Sequence, residues 1–299
     1  MSVDVELERY EAFGLTIVTP LRLPGLAASA QGGLEVRVQL GDVRRRFSGD
    51  GIELERLRTA DGDVRLCRGS DGDLLLDAGE LAVCHVSADG SAVTCTTVDP
   101  EMPAFQRLLL DTVLGTAALC RGYEGLHAAA VLDQRGRLVA IVGGEGAGKS
   151  SLAAELIARG GTLFADDLLF LDGRCAHPGP ALMNLPRSGP RLGRTVEEIG
   201  GESWVELERP RFSPRPLWLL VILERTDSVP AVDCVPESSP APLLAAALDS
   251  GAEPGRRRRR FDMLAEVARH AHLVRLRAPR TAGPQALAAA LTSAAEAFG

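Results

Sequence analysis

A chain of 299 residues, 45% hydrophobic and 24% charged, carries enough apolar material for one large domain or two ordinary ones and is not a disordered chain. Its net charge of −7 excludes a general nucleic-acid binder. The longest uninterrupted apolar run, Leu217–Leu223, is far short of the roughly 20 residues that span a bilayer, and no membrane partner is expected.

The opening residues, Met1 to Arg9, are charged and lack the apolar stretch of a secretory leader. Up to residue 102 the chain then reads as short strands: Leu15–Val18, Leu34–Leu40, Val64–Leu66, Leu74–Leu76, Leu81–Val86 and Ala92–Val98. Asp61-Gly62, Asp71-Gly72 and Asp89-Gly90 supply turns between several of them. This predicts a mostly antiparallel β-rich N-terminal unit over 1–102, with no chemical motif of its own. From Pro103 the period changes, and a second domain over 103–299 is expected. Phe105, Leu108, Leu109, Val113, Leu114, Ala117 and Leu119 predict a helix ending near Gly122.

Two strands follow, Leu126–Leu132 and Leu138–Val142, and the second runs directly into Gly143-Gly144-Glu145-Gly146-Ala147-Gly148-Lys149-Ser150-Ser151. The pattern G-x-x-x-x-G-K-[ST] is met at every fixed position, between a strand and a helix bearing Leu152, Leu156 and Ile157 on one face. Backbone N–H groups of such a loop turn inward around phosphate oxygens, and the helix N-terminus adds positive potential. ATP with Mg2+ is the expected ligand: Lys149 bridges the β- and γ-phosphates, and the Ser150 hydroxyl is a metal ligand. Of the 33 basic residues, Lys149 is the single lysine; a compact ammonium suits a phosphate loop where a planar guanidinium is too broad. There is also a single asparagine, Asn184, which falls in no motif.

The strand Thr162–Phe164 leads to Ala165-Asp166-Asp167. A carboxylate at the carboxyl edge of a sheet can hold Mg2+ or take a proton from an acceptor hydroxyl, although capping or turn chemistry would also explain an acidic pair. Neighbouring residues on a strand point to opposite faces, so the two should differ in role, and Asp166, at the end of the apolar run, is the better candidate for the metal. Farther on come the strand Leu217–Leu223, a Pro/Ser-rich connection from Val229 to Pro242, a helix Phe261–Arg269, a strand Leu273–Leu276 and a terminal helix from Gln285. The run Arg256–Arg260 at the start of a helix is either a solvated face or a contact for phosphate or an acidic peptide. The cysteines at 67, 84, 95, 120, 175 and 234 show no C-x-x-C pair and predict small core residues in a reducing, cytoplasmic setting. The sole asparagine and sole lysine are far apart, which excludes a GTPase base-reading segment, and no lysine remains for a eukaryote-like protein kinase.

Leu126-His127-Ala128-Ala129-Ala130-Val131, the loop Gly143–Ser151 and Phe164-Ala165-Asp166-Asp167, in this order and spacing, resemble the core of HPr kinase-like proteins. Tyr10-Glu11-Ala12-Phe13-Gly14-Leu15, Phe261-Asp262-Met263-Leu264 and Leu273-Val274-Arg275-Leu276 resemble a subgroup of HPr-related kinases, some of which accompany lasso-peptide tailoring genes. The resemblance implies an α/β fold, with a β-rich N-terminal unit followed by a P-loop kinase domain of the HPr kinase C-terminal type. It implies an ATP-dependent kinase for a serine hydroxyl on a peptide or protein, a ribosomal precursor peptide being one candidate, and it allows a homo-oligomer. An aspartate of the Ala-Asp-Asp segment would be the general base, here Asp166 or Asp167, with Lys149 on the phosphates. His127 would support the same site, although on residues alone it reads equally as a satisfied core histidine. The Glu-Ile-Arg-Gly-Leu-Gly segment of authentic HPr kinases is replaced here by Glu198-Ile199-Gly200-Gly201, so the likeness does not extend to HPr as acceptor. A small-molecule hydroxyl kinase and a non-catalytic nucleotide-binding regulator are the rival readings.

Overall fold

The computed structural model describes residues 6–29, 33–43, 51–59, 62–199, 201–248 and 254–298. Asp61 and Gly200 lie outside the described residues, as does the side chain of Arg256. The protein is a mixed α/β chain of several sheets and few helices. It divides into two compact units, the first essentially Met1–Tyr123 and the second Glu124–Leu248 with Glu253–Gly299.

The first unit is a nine-stranded sheet made of β1 (Glu8–Ala12), β2 (Leu15–Thr19), β3 (Ala27–Ala28), β4 (Leu34–Leu40), β5 (Ile52–Thr59), β6 (Gly62–Arg68), β7 (Leu74–Asp77), β8 (Ala82–Val86) and β9 (Ala92–Thr97). Their order is β3-β1-β2-β4-β9-β8-β7-β6-β5, antiparallel except where β4 runs parallel to β2 and β9. Phe13 and Gly14, the turn between β1 and β2, both have positive φ, 58° and 79°, as a two-residue hairpin turn of the primed type requires. A helical segment follows: α1 (Pro103–Arg107), a π-helical turn Leu108–Val113, and α2 (Leu114–Cys120).

This segment corrects the domain boundary expected at 102/103. Gln106 Nε2 donates to the Arg22 carbonyl at 3.2 Å, and Tyr123 Oη donates to the Gly14 carbonyl at 3.0 Å. A Cβ on Gly90 would sit 2.5 Å from the Ala117 carbonyl oxygen, so α2 lies directly on the β8–β9 turn. The helix buries its broad apolar face against the first sheet, and the boundary moves to Tyr123/Glu124.

The second unit opens with β10 (Glu124–Leu132), β11 (Leu138–Gly143), α3 (Lys149–Ala158) and β12 (Thr162–Ala165). Two short strands, β13 (Leu168–Leu171) and β14 (Cys175–His177), precede an outlying three-stranded sheet of β15 (Leu182–Pro186), β16 (Arg194–Ile199) and β17 (Glu202–Glu206). The chain then returns through β18 (Arg215–Arg225), β19 (Asp233–Pro236), α4 (Ala241–Ala246), α5 (Pro254–His270), β20 (His272–Ala278) and α6 (Pro284–Glu296).

Strand direction decides where chemistry can occur. β11 pairs antiparallel with β10 and parallel with β18, β18 pairs parallel with β20, and β10 pairs antiparallel with β12. Hence β12, β11, β18 and β20 all point one way, and their carboxyl ends share one edge of the sheet. Ligands of open α/β sheets bind at that edge. Alternation along the strands fills both faces. Ile141, Val221 and Leu276 pack with Leu152 of α3 and Leu291 of α6 on one side. Val142, Leu220 and Ile222 pack with Leu243 of α4 and Leu264 of α5 on the other. Both faces are apolar, so the central strands read as continuous hydrophobic runs. Among the described residues, no helix is long and apolar enough to cross a membrane.

Candidate active site

The loop 143–148 leaves the carboxyl end of β11 and enters α3. Two of its glycines are obligatory. A Cβ on Gly143 would lie 2.5 Å from the Leu223 carbonyl oxygen of the adjacent strand, and Gly148 has φ of +94° at the helix N-cap. The turn delivers Lys149, Ser150 and Ser151 as the first residues of α3, whose first N–H groups have no partner within the helix. Gly144, Glu145 and Gly146 form the exposed crown of the loop, and the Ala147 side chain is buried beneath it.

Lys149 is buried, and its Nζ donates to the carbonyls of Gly143 at 3.1 Å and Gly144 at 3.3 Å. Burial lowers its pKa, opposed by the charges of Asp167, Asp166 and Glu145. The ammonium is thus held over the loop by neutral acceptors, where phosphate oxygens would be stronger partners. Ser150 Oγ donates to Asp166 Oδ1 at 2.9 Å. The other carboxylate oxygen of Asp166 accepts the backbone N–H of Asn184 at 3.2 Å. Asp166 is almost wholly enclosed, and its pKa is pushed up to about 7, first by burial and then by the charge of Asp167; the bonds from Ser150 and Asn184 act against this.

Asp167 faces elsewhere. Its φ is +67°, a left-handed conformation, and its side chain is 42% exposed. The Asp167 carbonyl accepts the Ala128 N–H at 3.1 Å, and His127 Nδ1 lies 3.1 Å from that carbonyl oxygen and 3.3 Å from Asp167 Oδ1. A carbonyl only accepts, so Nδ1 carries a proton, and in the neutral ring Nε2 is left as the acceptor. His127 is 39% exposed and is therefore not an enclosed core histidine. It reaches the pair because β10 runs opposite to β11 and β12, bringing its amino-terminal half to their carboxyl edge.

The chain thus gathers the loop, Ser150, Asp166, Asp167 and His127 at one sheet edge. It does not present Arg256–Arg260 as one free patch. Helix α5 starts at Pro254, so the arginines occupy its first two turns rather than its first residues, and the dipole repulsion expected of them largely falls away. Arg257, Arg258 and Arg259 are exposed, whereas Arg260 is buried with its Nε 3.2 Å from Glu124 Oε2. Another arginine bonds the backbone of the strand that leads to the acidic pair. Arg209 donates to the carbonyls of Phe164, at 3.0 Å, and Leu163, at 3.3 Å, and to that of Gly179, and burial lowers its pKa to about 10. It pins the strand that ends in Asp166.

The approach of Asn184 and Arg209 to this edge was not legible from the sequence. For Asn184 the one signal was its uniqueness in the chain, and Arg209 left none. Whether a divalent cation suits the site can be asked of the atoms. Ser150 and Asp166 supply hard oxygen donors, and among the described residues Oδ1 of Asn184, whose N–H bonds Asp166, is a buried acceptor with no hydrogen-bond partner. A carboxylate whose pKa is raised by burial and a neighbouring carboxylate is one that a bound cation would ionise. The residues fit magnesium.

No family model matches the chain, and no curated protein does. Among solved structures, the Hpr(Ser) kinase/phosphatase from Coxiella burnetii superposes with a TM-score of 0.34 at 12% identity, over 58% of this chain and 97% of that one. A superposition that loose carries no argument about fold or activity.

Proposed function

We propose that the chain is an ATP- and Mg2+-dependent kinase that transfers the γ-phosphoryl group to a hydroxyl, with a serine of a peptide or protein as acceptor, ribosomal precursor peptides included. The observation that carries this reading is the 2.9 Å hydrogen bond from Ser150 Oγ to Asp166 Oδ1. A loop that only bound phosphate would need no acid at its mouth; here the hydroxyl and carboxylate that would share a cation already face each other.

Ser150 and Asp166 would hold the metal, and Asn184, whose backbone N–H bonds Asp166, carries a buried acceptor in its Oδ1. Mg2+ held there would supply positive charge to offset the negative charge that develops on the phosphate during transfer. Lys149 leaves the Gly143 and Gly144 carbonyls for the β- and γ-phosphate oxygens. Asp167, half exposed, takes the proton from the attacking hydroxyl, while His127 Nδ1–H holds it from the β10 side. The openness of Asp167 and His127 supports a large acceptor over an enclosed metabolite.

The test incubates purified protein with MgATP and serine-containing peptides, following ADP release and the mass of each peptide. The reading expects ADP release that requires a hydroxyl acceptor, and phosphoserine in the product. Asp167→Asn should leave MgATP affinity within about twofold and lower kcat by roughly 10²–10⁴. Nucleotide binding with no transfer to any hydroxyl would return the protein to the regulator class, and transfer only to small alcohols would make it a metabolite kinase.

A further inference from the structure

Arg225 ends β18, the strand that lies parallel to and beside the loop strand β11. Its Nε donates to the Ala147 carbonyl at 2.9 Å, inside the loop. Its Nη1 donates to the carbonyls of Ala282, at 2.9 Å, and Pro279, at 3.3 Å, in the turn between β20 and α6. That turn is itself closed by the Ala282 N–H on the Pro279 carbonyl at 3.0 Å. A Cβ on Gly148 would meet Arg225 Nη2 at 3.3 Å, so the guanidinium also lies against the residue that caps α3. Among the described residues no carboxylate pairs with Arg225, and burial lowers its pKa. A cation given to three neutral carbonyls is serving geometry rather than charge balance.

The geometry has a direct bearing on phosphate. Where the N–H of one peptide plane turns inward, the carbonyl of that plane points outward, and an outward carbonyl away from water needs a donor. For Ala147 that donor is Arg225. The same planar fork ties the loop to the 279–282 turn, which rests on β20 two strands from β11.

We infer that Arg225 is a positioning residue for the triphosphate: it holds the Ala147 carbonyl outward and braces the loop from behind, fixing the inward N–H groups that receive phosphate. This rests on the reading of Gly143–Ser151 as the nucleotide loop and deepens it. Arg225 touches no reacting atom.

The test compares wild type, Arg225→Gln and Arg225→Lys by calorimetric titration with two probes, MgATP and magnesium tripolyphosphate, the second having no nucleoside. Bracing predicts that Arg225→Gln weakens both probes by the same factor, about tenfold, the worth of one hydrogen bond from a charged group. The KM for ATP should rise in step while kcat stays within about threefold, because the chemistry is untouched. Arg225→Lys keeps the charge without the fork and should recover less than half of the loss. Amide exchange at 146–151 should quicken in Arg225→Lys while the remaining strands of the sheet keep their protection, a readout that holds even should Arg225→Gln fail to fold. Full recovery by lysine would mean that charge alone acts. Loss confined to MgATP would place Arg225 on the nucleoside side. Unchanged binding in both variants would leave it no role, and each of these three results overturns the inference. A wild-type protein that binds neither probe overturns the nucleotide reading as well, which separates the two failures.

Discussion

Lys149 and Asp166 both sit in surroundings that oppose their own charge, chiefly through burial. Lys149 is nearly enclosed, with its Nζ on the Gly143 and Gly144 carbonyls, and a guanidinium at that position would have to displace the loop it serves. Lys149→Arg is therefore expected to fold, to lose MgATP affinity by at least about tenfold, and not to behave as a conservative change; calorimetry on the folded variant reads this directly. Asp166 yields a pH prediction. Its pKa rises from 3.8 to about 7 on folding, so between those values the native state binds more protons than the unfolded chain. The contribution to ligand-free stability is fully present below about pH 4 and is lost as pH rises through 7. A shift of about three units corresponds to roughly 4 kcal/mol at most. Asp166→Asn should accordingly raise the Tm of the ligand-free protein at pH 8, flatten its Tm between pH 4 and 7, and abolish the dependence of nucleotide binding on Mg2+. A variant that is less stable than wild type at pH 8 would mean that the Ser150 and Asn184 hydrogen bonds outweigh the buried charge.

At the scale of elements, α5 and β10 are joined by the Arg260–Glu124 pair, both side chains about nine-tenths buried. Removing one partner of a buried pair strands the other's charge. Arg260→Ala is expected to cost about 3 kcal/mol in chemical denaturation, whereas glutamine at Arg257, Arg258 or Arg259 should stay within about 0.5 kcal/mol. Equal, small effects at all four would mean that the run is a solvated face throughout. The segments read correctly from sequence were those with abrupt punctuation: β11, the loop and α3 follow one another as apolar run, glycines and helical period, and Asp166-Asp167 ends an apolar strand beside them. The outlying sheet was invisible for the opposite reason. Arg194–Ile199 and Glu202–Glu206 are mostly polar and half exposed, so neither alternation nor a run of apolar residues marked them. Strand β19, Asp233–Pro236, lay inside the segment from Val229 to Pro242, whose prolines and serines suggested a connection. The helix at 103–120 was placed correctly in sequence and in the wrong unit, because its apolar face does not say which sheet it will cover. Site residues contributed through the backbone, such as Asn184 N–H, or through long reach, such as Arg225, have no sequence spacing to betray them.

At the scale of the whole molecule, the second unit gathers the loop, Asp166, Asp167 and His127 at one sheet edge, while the two faces of that sheet carry apolar packing. Stability and chemistry therefore compete at a few identifiable positions rather than throughout the core. Asp167 is the clearest, an aspartate held at φ +67° where a glycine would rest without strain. Asp167→Gly is expected to raise ligand-free stability by about 1 kcal/mol, a thermal shift of a few degrees, and to abolish phosphoryl transfer. A lower Tm would mean that the His127 contact stabilises Asp167 by more than the left-handed backbone costs. The wider consequence concerns how this protein could drift. Random variants sorted only by heat resistance would be enriched for substitutions at Asp166 and Asp167, so under the proposed reading sturdiness would be gained at the expense of the site, and a thermally hardened descendant would be a binder without a reaction.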